Sequence, residues 1–140
     1  MIAWMLAVLL QAPVPRPGPL VTTIDQGTTT YVEMRRNVVV RTPDEWTTLW
    51  ASHSPNQPVP KVDFSTTMVI GVFMGARPTA GFSTEIVNVR TDTGGLVVEY
   101  KETEPRRGAI TAQVVTAPYH LIAVPKQDGE VSFQKVSAEK

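Results

Sequence analysis

The sequence of 140 residues contains no cysteine. A disulfide framework, a cysteine-ligated zinc or iron–sulfur centre, a thiol nucleophile and a lipidated cysteine anchor are therefore excluded. It also lacks a surplus of either charge, with 13 Lys and Arg against 13 Asp and Glu. That balance argues against a nucleic-acid binder, whose phosphate contacts need a cationic face. Histidine is scarce, with only His53 and His120, and they stand far apart in the chain. No G-x-S-x-G, H-E-x-x-H, H-x-H or S-x-x-K pattern occurs, and the acids do not follow the spacing of a calcium loop. The reading is of a non-enzymatic chain with no cofactor and no metal. Each histidine has a structural explanation: His53 as an end-of-helix residue and His120 as a hydrogen-bonded residue of a strand. A hydrolase would need one of them in a pocket beside a nucleophile.

Long hydrophobic runs are missing too. Ile2–Leu10 is uninterrupted but holds nine residues, against the roughly 20 needed to span a bilayer. It fits the apolar centre of a secretory signal peptide over 1–12, although no lysine or arginine precedes it. A buried strand or helix of the domain is the alternative. The implied location is extracytoplasmic: periplasmic, cell-surface or secreted. Residues 13–21 follow as a proline-rich linker, with Pro13, Pro15, Pro17 and Pro19 at alternate positions. Each proline fixes φ and removes a donor, so an extended spacer is expected there.

Residues 22–140 read as a single β domain. One helix stands out over 43–53, where Thr42 is the N-cap, Pro43 occupies the first helical position and Glu45 completes a capping box. Trp46, Leu49 and Trp50 share one face, which should seat the helix on a sheet. Strands are expected at 29–34, 37–41, 68–74, 81–90, 96–101, 111–116, 119–124 and 131–136. The run at 68–74 (MVIGVFM) should be a central strand covered on both faces. The fold class is mainly β, a small antiparallel β-sandwich or open barrel with one short helix packed on it.

The most distinctive stretch is Gly75–Phe82 (GARPTAGF). Pro78 and Gly81 suffice for a rigid inter-strand corner, and such a corner on a β scaffold can present contact residues. Arg77, Pro78, Thr79, Gly81 and Phe82 are the candidate binding residues, and Tyr119 and His120 mark a second candidate edge.

Residues 68–126, with a likeness reaching back to about Ile24, resemble the C-terminal domain of the protease complex subunit PrcB family. The residues that carry this are MVIGVFMGARPTAGFSTEIVNV (68–89), GAITAQVVTAPYHLIAVPK (108–126), EWTTLW (45–50) and VDF (62–64). The resemblance implies an exported, mostly β, non-catalytic domain that associates with a secreted or surface protease. It brings no catalytic residues with it. RPTAGF (77–82) is also similar to the Asn-Pro-Thr-Thr-Gly-Tyr/Phe loop of chagasin-type cysteine protease inhibitors, departing from it at Arg77 and Ala80. The inhibitors' other contact loops have no counterpart here. Direct inhibition through Arg77–Phe82 is therefore the alternative function.

Overall fold

The computed structural model describes residues 20–137, so the expected signal peptide and most of the expected proline-rich linker lie outside the described residues. Thr42 caps α1 (Pro43–His53), the one helix among the described residues: its hydroxyl accepts from the Glu45 N–H at 3.2 Å, and Glu45 reaches back to the Arg41 N–H at 2.9 Å. Trp46, Leu49 and Trp50 are buried beneath α1. The indole N–H groups of Trp46 and Trp50 donate to the carbonyls of Pro60 (2.8 Å) and Gln57 (2.9 Å), which fastens the following proline-rich loop to the helix.

Among the described residues seven strands make two sheets. The first sheet contains β1 (Thr22–Gly27), β2 (Arg36–Val40), β3 (Thr67–Phe73) and β6 (Tyr119–Pro125), in the order β1-β6-β3-β2. The second contains β4 (Ser83–Asp92), β5 (Gly95–Thr103) and β7 (Glu130–Lys135), in the order β4-β5-β7. The architecture is mainly β, two sheets and one helix with no closed barrel.

The period-two alternation of β3 and β6 divides the core in two. Val69, Phe73, Tyr119 and Leu121 face the helix, where they meet Trp46, Leu49 and Trp50. Met68, Ile70, Val72, Ile122 and Val124 face the second sheet, where they meet Ile86, Val89, Leu96 and Val98. The result is three layers, helix on sheet on sheet. The central position expected for 68–74 follows directly, since β3 lies between β2 and β6 and is buried on both sides. Gly71 in the middle of β3 leaves the room that Leu121 fills: a Cβ there would stand 2.4 Å from Leu121 Cδ2.

Three expectations are corrected. Residues 29–34 form no strand; Val32 is buried, but Tyr31 and Met34 are 65% and 78% exposed, and the edge strand before them is β1. Residues 111–116 likewise form no strand, only a single bridge between Arg77 and Thr116. Finally, one pairing is parallel. β7 runs parallel to β5, the chain having crossed from the first sheet to the second between Pro125 and Glu130. All other strand pairs are antiparallel.

Candidate functional site

Three loops meet at one end of the sandwich: 28–35, 74–82 and 104–118. Backbone bonds hold them together. Arg77 and Thr116 exchange N–H···O bonds (2.7 and 2.9 Å), the Ala80 N–H donates to Ala112 O (3.0 Å), and the Met74 N–H donates to Pro118 O (2.9 Å). The first loop joins through Ala76 N–H to Glu33 O (2.9 Å) and Ala117 N–H to Thr28 O (2.8 Å). The glycines of the corner carry its shape. Gly75 and Gly81 have φ of 87° and 98°, a region side chains with a Cβ rarely adopt. A Cβ at Gly81 would also press to 2.8 Å from the Pro105 ring.

Arg77 is half-buried within this cluster. Its Nη2 donates to Met74 O at 3.1 Å, and its guanidinium carbon stands 5.8 Å from the centre of the Phe82 ring, a cation–π distance. Thr79 is tied in as well, its carbonyl accepting from the Thr116 hydroxyl at 2.9 Å. Pro78 and Gly81 are exposed. The structure thus brings Arg77, Pro78, Thr79, Gly81 and Phe82 together on one corner. The adjoining loops add exposed apolar side chains that sequence periodicity did not single out: Tyr31, Met34, Ile110, Val114 and Val115. Val114 and Val115 fall in the strand expected at 111–116, where alternate residues would be covered; in the loop both are exposed.

Tyr119 and His120, expected at a contact edge, are inside the protein at 6% and 4% exposure. They are successive strand residues and so project from opposite faces of the first sheet. Tyr119 points to the helix layer. Its hydroxyl donates to Asp25 Oδ1 (2.9 Å), and the other carboxylate oxygen meets His53 Nε2 (2.9 Å), whose Nδ1 lies 2.6 Å from Thr30 Oγ1. His53 is 1% exposed and edge-on to Trp50, Phe73 and Tyr119. The Asp–His–Thr order is that of a nucleophile activated by a base. It ties β1, the 28–35 loop, α1 and β6 into one part-buried polar chain, with the Asp25 side chain 33% exposed. Burial and the Asp25 carboxylate both raise the Tyr119 phenol well above its ordinary range, so it stays a donor.

His120 points the other way, between the sheets. The Ile86 N–H donates to its Nδ1 at 2.9 Å, and its Nε2 lies 2.9 Å from Thr23 Oγ1. A backbone N–H can only donate, so Nδ1 accepts and the ring is neutral with its proton on Nε2. Burial depresses its pKa despite the opposing pull of Glu85. Glu102, on β5, has a side chain only 5% exposed, and burial pushes its carboxyl up. Hydrogen bonds and charge from Arg35 and Lys135 outweigh that and hold it below the usual range. That carboxylate pins the 28–35 loop to the second sheet.

The segment from β3 through β6 includes the corner, the 104–118 loop and both halves of the core. Residues 68–125 match the model of the PrcB C-terminal family. The matched region contains the two candidate loops at 74–82 and 104–118, while β1, β2 and β7 complete the sheets around it and α1 packs on the first. This family suggests a domain associated with a protease complex. No curated protein and no solved structure matches the chain. Among the described residues no helix is long and apolar enough to cross a membrane, and no group of His, Asp and Glu is placed to hold a metal ion.

Proposed function

We propose that this chain is an exported, non-catalytic accessory subunit of an extracytoplasmic protease complex, and that it docks through the loop end of its sandwich. The observation that carries the reading is the PrcB C-terminal match over 68–125, which includes the corner loop. Its surroundings support it: Tyr31, Met34, Ile110, Val114 and Val115 are exposed on loops bonded to one another. Large apolar side chains grouped on exposed loops favour a protein partner. Arg77 and Phe82 supply a cationic and aromatic element beside them, of the kind enriched at binding hot spots.

Crosslinking of the full chain in living cells, followed by mass spectrometry, should recover a protease or a protease-bound subunit, with crosslinks on residues 28–35, 74–82 or 104–118. Ile110→Asp and Val115→Asp should abolish that capture while the protein still melts cooperatively. Capture unchanged by both substitutions, or no protease recovered, overturns the proposal. Titration of the purified chain into papain-like and subtilisin-like proteases tests direct inhibition through Arg77–Phe82: a stoichiometric loss of activity would replace docking with inhibition.

A further inference from the structure

A sheet edge is a template for another strand, and proteins usually guard it with bulges or charge. Four strands are edges here: β1, β2, β4 and β7. β1 slips register between Thr23 and Asp25, and β4 slips between Ile86 and Asn88. β7 exposes Glu130, Gln134 and Lys135. β2 has none of these features past its first residues. Its register with β3 is unbroken over Arg36–Val40, it contains no proline or lysine, and it ends in Val38-Val39-Val40. One side of β2 is bonded to β3, and the pairing leaves outward N–H and C=O groups on the other.

A groove of about 400 Å³ opens beside this strand. The two-residue connection Arg41-Thr42 brings α1 back alongside β2, so that strand and helix both line it. Val38, Val39, Val40 and Leu49 supply its apolar part, with Arg36 from the start of β2 and Asp44 from the first turn of α1. Neither Arg36 nor Asp44 forms an ion pair among the described residues, and the neighbouring Glu45 is already engaged with the Arg41 N–H.

We propose that the β2–α1 groove takes an extended segment of a partner protein, added to the first sheet as a fifth strand. The segment is β-branched or apolar at its centre, with a lysine or arginine for Asp44 and a carboxylate for Arg36. Backbone bonds to β2 give the affinity, and the two fixed charges set direction and register. This surface runs along the sheet edge and meets the loop end only at Arg36, so protection of β2 and protection of the loops tell the two readings apart.

The test pans a displayed random-octamer peptide library on the full chain and measures the recovered peptides by fluorescence anisotropy and amide exchange. Octamers rich in valine, isoleucine or threonine with one basic residue should be enriched, and they should protect β2 amides. Asp44→Lys should weaken them by about ten-fold and favour acidic replacements at the basic position. Val39→Pro should abolish binding by removing an edge position, its fold checked by thermal unfolding; Asp44→Lys is exposed and carries the test if the proline variant does not fold. Peptides that protect only the 74–82 and 104–118 loops, none that protects β2, or affinity indifferent to Asp44→Lys would each overturn the proposal. So would β2 protection that arises without peptide in a dimer of this chain.

Discussion

Replacing His120 with leucine should cost stability at neutral pH and should cost less as the solution is acidified. The side chain is 4% exposed between the sheets, and its Nδ1 is the acceptor for the Ile86 N–H. Leucine keeps the apolar bulk but leaves that buried donor without a partner, a loss of about 1–3 kcal/mol. The Thr23 hydroxyl lies at an exposed residue and regains water, so it adds little. The pH dependence follows from the depressed pKa. The unfolded imidazole takes up a proton near its ordinary 6.5, whereas the folded one resists. The contribution of neutral His120 is therefore complete above that value and is eroded as pH falls toward the lowered folded pKa, by up to about 1.4 kcal/mol per pH unit. The leucine variant has no such uptake at this position, and His53 on the opposite face of the sheet is present in both proteins. Urea titrations at about pH 7.5 and about pH 5.5, at fixed ionic strength, should show the two midpoints drawing together in acid. A gap that stays constant or widens as pH falls would refute the assignment of Nδ1 as an acceptor.

Gly71→Ala should destabilise by about 1–3 kcal/mol, because the new Cβ meets Leu121 Cδ2 at 2.4 Å and Val38 Cγ2 at 3.0 Å; pairing it with Leu121→Ala in a double-mutant cycle should recover part of the loss. Glu102→Gln should lower the urea midpoint by the equivalent of about 1–2 kcal/mol at neutral pH. Because the Glu102 pKa is lowered, its contribution is present above about 4.5 and fades as pH falls through the folded value, so wild type and variant should converge in acid. Tyr119→Phe removes the hydroxyl that donates to Asp25 and should cost about 0.5–1.5 kcal/mol by thermal unfolding, with the capture of a protein partner unchanged.

The parts of the fold visible in the sequence are those fixed by neighbours along the chain. Thr42, Pro43 and Glu45 mark the helix start within four residues, and Trp46, Leu49 and Trp50 mark its buried face. Met68–Met74 reveals β3 because a strand buried on both sides has no polar position. β1 was not visible: TTIDQG alternates weakly, and it becomes a strand only through pairing with β6. The 111–116 segment failed in the opposite sense, since strand-forming residues lack a partner strand and stay a loop. The corner at Gly75–Phe82 was legible because Pro78 and Gly81 impose a turn by themselves. The exposed side chains around it were not, because what joins the 28–35 and 104–118 loops to the corner is a set of bonds between segments far apart in sequence. The Asp25–His53–Thr30 chain was hidden for the same reason, with members drawn from β1, a loop and α1.

The pairing of β1 with β6 also governs when this domain can exist at all. Thr22 finds its partner in Ala123, and β7 cannot lie against β5 until residues 130–135 are available. Each sheet thus closes only with residues from the last fifth of the chain, and the loops closed on the way are long. Topology of this kind makes folding slow. For as long as the tail is withheld, the chain remains an open polymer that can be threaded, held by a chaperone or cut, and the valines of β2 have no β3–β6 sheet to extend.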